Sequence, residues 1–243
     1  MEFLKILIIL IFIWCIEQLY MAIYTRFERS IADRKERSYQ ELKSEKQEPK
    51  QEKVSFIRRG YHWFERFSYG FMRYNLICVG KIPSYSLRRM LYRWVYCMDI
   101  TKNTVIHGGC EFRSPWNIHA DRCIISAGCI LDGRSKIIIG QDVVLGSNVH
   151  VWTMEHSIDD PYFRVLANNA LPVVIEAHAW VCSDATILPG CKIGEGVVVA
   201  SRACVIKDCD DFFVYGGIPA RKIRMRNRNL RYHTDSKPSW MFW

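Results

Sequence analysis

One histidine of the sequence stands in a setting that suits proton transfer. His156 lies in the segment TMEHSIDDPYF, beside the carboxylates Glu155, Asp159 and Asp160. The ordinary pKa of an imidazole is near neutral pH, so its free nitrogen can take a proton from a hydroxyl group as that oxygen attacks. The three carboxylates could orient the ring or contact a polar ligand, or they could be solvated loop charges. We take His156 as the candidate general base, against the alternative of an exposed or structural loop histidine.

Two further side chains could take part in the same chemistry. Asp132, in the segment ILDGR, could bind an acceptor or tune His156, or it could stabilise a turn. We include it with His156 in the predicted catalytic site. Cys182 could form a covalent intermediate, but the sequence pairs it with no base. We therefore interpret Cys182 as a structural residue.

A six-residue repeat must position these groups. From residue 175 to residue 205 an aliphatic side chain returns at each sixth position: Ile175, Val181, Ile187, Ile193, Val199 and Val205. This period matches neither a helix nor a simple strand, but it is typical of a parallel β-helix, in which short strands alternate with tight corners. A run of ordinary buried strands would hardly keep all these residues in phase.

The same period extends upstream of residue 175. The side chains predicted to point inward are Ile100, Ile106, Phe112, Ile118, Ile124 and Ile130, followed after a three-residue slip within 131–136 by Ile139, Leu145 and Val151. Between them and Ile175 the polar excursion 152–172, which contains His156, leaves the repeat and returns in phase. An insertion of this kind in a regular scaffold is a common place for function.

Composition narrows the class of protein. A chain of 243 residues with 49% hydrophobic residues can hold one sizeable domain with appendages. Its net charge is +9, but the basic excess lies outside the repeat, so nucleic acid is not an expected partner. The ten cysteines form no CxxC pair, and several occupy repeat positions. They are interpreted as reduced wall residues of a cytosolic domain without zinc.

The N-terminal stretch predicts a membrane anchor. Residues 3–24 are strongly apolar and close to the roughly 20 residues that span a bilayer. No small-residue cleavage site follows 6–16, which argues against a removed signal peptide. The basic residues that follow the stretch predict a single-pass membrane protein with its catalytic domain in the cytoplasm: Arg26, Arg29, Arg34, Lys35 and Arg37. Glu17 leaves an interfacial helix as the alternative.

A second helical segment precedes the repeat. Leu87, Met90, Leu91, Trp94 and Val95 recur at helical spacing, and Ser84 or Ser86 could cap the helix. Its basic and aromatic character suits an anionic membrane or a lipid-linked substrate, or the helix could cap the open end of the β-helix. The predicted division is an anchor (1–24), a charged tether (25–53), an amphipathic helical segment (54–99), a β-helix domain (100–211) with an active-site loop (152–172), and a closing turn with a basic, aromatic tail (212–243).

Four segments together resemble one family. ILDGRSKIIIG, TMEHSIDDPYF, AWVCSDATILPGCKIGEGVVVASRACVIKD and YGGIPARKIRMRNRNLRY are similar to the hexapeptide-repeat acyltransferases, in the maltose/galactoside acetyltransferase-like and polysaccharide-locus O-acetyltransferase branch. The resemblance covers roughly residues 80–232. It implies a mainly β protein with a left-handed parallel β-helix, a homotrimer with active sites between subunits, an acetyl-CoA donor, and His156 as the base. Residues 127–129 depart from it, since galactoside-type members place an asparagine there.

The resemblance also implies a donor site. Trp180 would wall the pantetheine channel, although it could instead be an outward aromatic that covers a coil face. The Gly-Gly-Ile-Pro-Ala-Arg turn would close over CoA, with basic residues near the phosphates. The predicted donor-binding residues are Trp180, Ala200, Ser201, Lys207, Gly217, Pro219, Arg221 and Lys222.

The expected function is therefore O-acetylation of a sugar hydroxyl on a surface or exopolysaccharide precursor. The alternatives are N-acetylation of an amino sugar or a xenobiotic, and a non-catalytic trimeric scaffold at the membrane. The chain's histidines also resemble the zinc ligands of γ-class carbonic anhydrases, which share this fold, but the spacing does not match. We expect no metal.

Overall fold

We describe the fold from a computed structural model. It describes residues 2–41, 56–165 and 170–234. Part of the predicted tether, four residues of the active-site loop and the end of the predicted tail lie outside the described residues.

The N-terminal helix is much longer than the predicted anchor. Helix α1 runs over Glu2–Glu41, and its first part is exposed and apolar. By length and composition, one helix among the described residues could cross a membrane, and it is this one, over residues 3–34. Farther along α1, Gln18, Met21, Tyr24 and Thr25 are buried against the rest of the molecule.

Two shorter helices complete a helical pre-domain. Helix α2 covers Phe56–Gly80 and helix α3 covers Tyr85–Trp94. Ser84 is the N-cap of α3, and its side chain accepts a hydrogen bond from the Leu87 backbone amide, which confirms one of the two predicted caps. Buried residues of α1, α2 and α3 join those of the first coils in one apolar cluster. The helices therefore close the N-terminal end of the β-helix.

Three parallel sheets form the walls of the β-helix, and the chain visits them in turn. Sheet A contains β1 (Asp99–Ile100), β4 (Ile118–Ala120), β7 (Ile137–Ile139), β10 (Val173–Ile175) and β13 (Lys192–Ile193). Sheet B contains β2 (Val105–Ile106), β5 (Ile124–Ile125), β8 (Val144–Leu145), β11 (Trp180–Val181), β14 (Val198–Val199), β16 (Phe213–Gly216) and β17 (Arg221–Met225). Sheet C contains β3 (Glu111–Arg113), β6 (Ile130–Asp132), β9 (His150–Val151), β12 (Thr186–Ile187) and β15 (Cys204–Val205). A 3₁₀ turn, Pro115–Asn117, precedes β4.

The predicted fold class is confirmed: the protein is mainly β, a parallel β-helix of about six turns behind an apolar N-terminal helix and a helical pre-domain. The six repeat residues from Ile175 to Val205 are all buried and stack in register on neighbouring coils. Stacked aliphatic side chains fill the interior of the prism, which is why a six-residue period suffices to specify this part of the fold.

The predicted upstream register is wrong at two positions. Ile125 and Leu131 are fully buried, whereas Ile124 and Ile130 pair with the outward-facing Val144 and His150. The strands of sheet A explain the shift, because β4 and β7 each have three residues and bury both end residues. The phase therefore changes at β4, before the predicted slip.

The C-terminal segment returns along the β-helix. Strand β17 pairs antiparallel with β16, and the chain then runs back over one edge of the prism. Arg226 donates hydrogen bonds to the carbonyls of His178 and Gly196, and Thr234 reaches the carboxylate of Asp142. Although burial by itself raises the pKa of the Asp142 carboxyl, hydrogen bonds from Arg122, Thr234 and His233 hold it well below its ordinary value.

Candidate active site

The predicted active-site loop leaves the β-helix after β9 in sheet C and returns at β10 in sheet A. Thr153 fixes its base, because its hydroxyl donates to the Asp132 carbonyl at 2.5 Å and accepts from the Ser135 amide at 2.9 Å. Met154 forms an antiparallel bridge with Ala170 across the neck of the loop. The loop is thus a closed excursion at the edge where sheets C and A meet.

His156 is exposed in this loop and has a defined orientation. Its Nδ1 lies 2.6 Å from the Phe163 carbonyl oxygen, and its ring stacks on the Phe163 ring with 4.3 Å between centroids. A carbonyl oxygen only accepts hydrogen bonds, so Nδ1 must carry the proton in the neutral imidazole. The lone pair is then on Nε2. This tautomer is the one that a general base needs, with its basic nitrogen free for a substrate proton.

The neighbouring carboxylates do not make this contact. Asp160 is bound to Arg164 by the backbone amide at 2.7 Å and by two guanidinium contacts of 2.9 Å. Hydrogen bonds from the Arg164 side chain and amide lower the pKa of Asp160 to about 2. In the same turn the Phe163 amide donates a hydrogen bond to the Asp160 carbonyl. The ion pair between Asp160 and Arg164 therefore closes the turn whose Phe163 carbonyl contacts His156. Sequence reasoning missed Phe163 and Arg164, because a backbone acceptor leaves no residue-type signal.

Asp132 is fully buried at the end of β6. Arg134 binds both of its carboxylate oxygens, with Nη2 at 2.7 Å from Oδ2 and Nε at 2.8 Å from Oδ1. This hydrogen bonding also raises the pKa of Arg134. The described contacts of Asp132 are those of a residue that stabilises a turn, which is one of its two predicted roles.

Most of the predicted donor residues lie on sheet B or at the corner that follows it, but Lys207 follows β15 in sheet C, at the same edge as the His156 loop. Trp180 points outward from sheet B between Val144 and Val198, and 47% of it is exposed. Ala200 follows β14 and its amide donates to the Tyr215 carbonyl at 2.8 Å; Ser201 is exposed at the next corner. Small residues beside an exposed indole leave the rung backbone accessible to a long, narrow ligand.

Cys182 lies beside this surface. Burial raises the pKa of the Cys182 thiol, although a hydrogen bond with Ser201 opposes the rise. Because the thiolate is the nucleophilic form, a raised pKa makes Cys182 a poor nucleophile at neutral pH. This agrees with its interpretation as a structural residue.

The turn after β16 closes onto the last coil. Gly217 has φ +94°, a conformation that favours glycine, and its carbonyl accepts from the Cys204 amide at 3.0 Å. Pro219 is exposed in the same turn. The Ala220 amide donates back to the Cys204 carbonyl at 2.8 Å, which seats the turn on β15.

The basic residues near this turn differ in their availability. Lys222 is held by Asp210 at 2.6 Å and lies 4.0 Å from the centre of the Phe213 ring. Arg221 and Lys207 are exposed, and neither forms an ion pair with a residue that the structure describes. These two side chains are the freer cations for an anionic ligand. Within the described ranges, no group of three or more His, Cys, Asp or Glu side chains could hold a metal ion.

His156, the predicted base, and Trp180, the predicted wall of the donor channel, lie on different parts of the prism. The His156 loop lies at the edge between sheets C and A, and Trp180 lies on sheet B, the face across the prism. One chain therefore keeps His156 and Trp180 on different sides of the prism.

Comparison with known proteins identifies the family. Residues 172–207 match the model described as bacterial transferase hexapeptide (six repeats). An Escherichia coli K12 protein, WcaF, whose name assigns it an acetyltransferase role in colanic acid biosynthesis, is 30% identical over 145 residues, covering 57% of this chain and 78% of WcaF. The chain belongs to the hexapeptide-repeat acyltransferase family. The resemblance found in the sequence is thereby confirmed.

Other hexapeptide-repeat acyltransferases extend the comparison. A chloramphenicol acetyltransferase of Escherichia coli is 49% identical over 127 residues, covering 51% of this chain and 60% of that protein. The solved structure of a hexapeptide-repeat acetyltransferase from Vibrio cholerae, complexed with acetyl coenzyme A, has a TM-score of 0.54 and 26% identity, covering 63% of this chain and 84% of that one. The protein is accordingly an acyltransferase, and the scaffold alternative is set aside.

Proposed function

We propose that this acyltransferase transfers an acetyl group from acetyl-CoA to a sugar hydroxyl of a polysaccharide precursor. The observation that carries the proposal is the His156 tautomer, since the Phe163 carbonyl leaves Nε2 free to accept a proton. The bound acetyl-CoA of the Vibrio structure supports the donor, and the role assigned to WcaF supports the acceptor class.

The reaction is a direct transfer. Nε2 of His156 takes the proton of the acceptor hydroxyl as its oxygen bonds to the thioester carbonyl carbon. The C–S bond then breaks, and the sulfur leaves with the proton that the imidazolium returns, so CoA departs as a thiol. Backbone amides serve as donors to the oxyanion. Asp132 contributes by holding the base of the loop, where its carbonyl accepts from Thr153.

The donor lies along the sheet B face. Trp180 packs against the pantetheine arm, with Ala200 and Ser201 beneath it and the turn at Gly217 and Pro219 over it. Arg221 contacts the phosphates from this face, and Lys207, at the C–A edge, contacts them from the neighbouring subunit, because guanidinium and ammonium groups form strong charge-assisted hydrogen bonds with phosphate oxygens. Lys222, already held by Asp210, orders the turn and adds positive charge.

The active enzyme is a homotrimer with its sites between subunits. The supporting observation is the separation of His156 from Trp180 across one prism. A neighbouring subunit placed with its sheet B face against the C–A edge of the first completes each site, and closed cyclic symmetry repeats this contact.

The protein is held at the membrane by α1, with its catalytic domain in the cytoplasm, where acetyl-CoA is available. The length and composition of α1 support the anchor, and the arginines that follow its apolar stretch support the orientation. The proposal includes the five segments predicted from the sequence. In it, α2 and α3 form the segment that joins the anchor to the β-helix.

Substitution of His156 tests the base. For H156A and H156Q we expect kcat to fall about 10²- to 10⁴-fold with acetyl-CoA affinity unchanged, because only proton transfer is lost. The matched control is E155Q, which changes the adjacent exposed loop residue and should keep its activity. Acetyl transfer to a panel of sugar nucleotides and lipid-linked oligosaccharides is the assay, with calorimetry for acetyl-CoA. Full activity in H156A would refute the base, and failure to bind acetyl-CoA would refute the donor.

The chloramphenicol acetyltransferase similarity favours a second candidate function. A xenobiotic alcohol could replace the sugar hydroxyl without change to His156 or to the donor face. Including chloramphenicol and an amino sugar in the same panel separates the alternatives: transfer to chloramphenicol alone supports the xenobiotic, and transfer to the amine alone supports N-acetylation.

A further inference from the structure

An open cleft of about 400 Å³ lies where α1 meets the end of α3. Its basic and aromatic lining consists of Arg26, Arg29, Arg93 and Trp94. Asp33 and Asp99 also line it, and Asp99 faces Nδ1 of His119 at 2.8 Å, so three arginines stand against two carboxylates. The cleft is thus a cationic site with an indole at its rim.

The cleft has a rigid frame. Arg26 donates to the Ala22 carbonyl at 2.8 Å and to the Trp94 carbonyl at 3.0 Å, and Thr25 donates to the Val95 carbonyl. These bonds join α1 to the C-terminal end of α3, where carbonyl groups lack helical partners. Arg29 and Arg93 are exposed, and neither is ion-paired with any residue in the described ranges. The Arg93 guanidinium lies over the Trp94 ring, 5.4 Å from its centroid, and Arg29 is the second exposed guanidinium of the cleft.

The position of the cleft along α1 indicates which layer of a membrane the cleft would face. Leu19, Ile23 and Phe27 lie four residues apart on one helix face, with 62%, 63% and 49% exposed, so the apolar face of α1 continues to Phe27. Residues 3–24 measure about 33 Å as a helix, near the roughly 30 Å of a hydrocarbon core, and in the last two turns Gln18, Met21 and Tyr24 pack on the domain so that only the opposite face would meet lipid. Arg26, Arg29 and Trp94, which is 61% exposed, therefore come at the level of lipid headgroups.

We propose that this cleft binds the phosphate of an anionic membrane phospholipid. Arg29 and Arg93 contact the phosphate oxygens, Trp94 lies at the glycerol level, and Phe27 contacts the acyl chain. The site is separate from His156 and from the donor face. This proposal rests on the proposed membrane contact of α1. A lipid bound in the cleft would fix the height of the β-helix above the bilayer.

Short-chain lipids test the cleft without a bilayer. Full-length protein in neutral detergent is titrated with dioctanoyl phosphatidylglycerol or dioctanoyl phosphatidylcholine, and bound lipid is counted by native mass spectrometry. We expect one saturable phosphatidylglycerol per chain and weaker phosphatidylcholine binding. R29Q/R93Q should bind phosphatidylglycerol about 30-fold more weakly, since each arginine near an anionic headgroup contributes about fivefold. The control R202Q/R231Q removes the same charge from exposed residues of the β-helix and the C-terminal segment and should bind normally.

Three results would overturn the proposal. Equal binding of the two lipids would show that the cleft does not distinguish an anionic headgroup from a zwitterionic one. An equal loss of binding in the control variant would show unspecific attraction of the lipid to a basic surface. Displacement of the lipid by inorganic phosphate at equal affinity would assign the cleft to a soluble phosphate. Recovery of the wild-type protein in the membrane fraction is measured separately, so failure of the anchor is distinguished from failure of the cleft. Unchanged thermal unfolding shows that the variants fold.

Discussion

At the scale of the residue, the main finding is the group that orients His156. A backbone carbonyl, that of Phe163, holds Nδ1, whereas a loop carboxylate in this role was one of the alternatives that the sequence left open. A carbonyl fixes the tautomer without adding a negative charge next to the base. The ion pair between Asp160 and Arg164 shapes the turn that presents this carbonyl, so it acts on His156 through position.

Loss of this ion pair should slow catalysis while leaving donor binding intact. For R164Q we expect kcat to fall about tenfold, because a ring that turns away from its working geometry loses part of the gain from orientation. The KM for acetyl-CoA should stay constant. Steady-state kinetics of R164Q are compared with those of R66Q, which removes an exposed arginine from α2. A changed KM with normal kcat would contradict a positioning role.

The same pair predicts how the loop responds to acid. The pKa of Asp160 is about 2, below the ordinary value of about 3.9, so the folded loop favours the carboxylate. The resulting stabilisation is fully present above about pH 4 and is lost as the pH falls through about 2. NMR titration of the Asp160 carboxyl checks this. Because the Arg164 side chain is 56% exposed, high salt should weaken the shift, and an ordinary pKa at low salt would refute it.

At the scale of the element, the close stacking of successive coils restricts particular corners. A Cβ atom on Gly146, directly after β8, would lie 2.5 Å from the Ser183 amide nitrogen of the next coil. Backbone cannot move aside as a flexible side chain can. Gly70, in the middle of α2, has no such constraint, since a Cβ there would meet no atom within 4 Å.

The two glycines should therefore respond oppositely to alanine. G146A should lower the free energy of unfolding by about 1–3 kcal/mol through overpacking against the next coil. G70A should raise it by about 0.5–1 kcal/mol, because alanine is the better helix former. Thermal and denaturant unfolding of both variants measure the difference. Destabilisation by G70A would show that α2 is packed on that face.

At the scale of the whole molecule, the proposed base and the proposed donor-binding face lie on different sides of the β-helix. His156 and Trp180 belong to different faces, so assembly rather than folding of one chain would create the proposed site. The cluster that joins helices and β-helix also places the end of α1 beside the domain, which brings the arginine-lined cleft close to the proposed membrane surface.

Mixing two inactive variants tests the shared site. H156A and W180A should each be inactive or nearly so, and chains mixed at equal amounts before refolding should recover about a quarter of wild-type activity. That is the fraction of interfaces at which one subunit keeps His156 and its neighbour keeps Trp180. As the control, two separate preparations of H156A are mixed and refolded in the same way, and no activity should be recovered. No recovery in mixed trimers would place both residues in one subunit's site.

Local patterns of the sequence determined the parallel β-helix, an apolar N-terminal helix and a serine cap of α3 at Ser84 or Ser86, of which the structure selects Ser84. Each follows from spacing within a few residues, where side-chain direction and backbone geometry are coupled. The register at Ile124 and Ile130, the binding of Asp132 by Arg134, and the contact between His156 and Phe163 depended on the tertiary structure. They result from strand ends, turns and packing between coils, where several pairings satisfy the same local pattern and only the folded chain selects one.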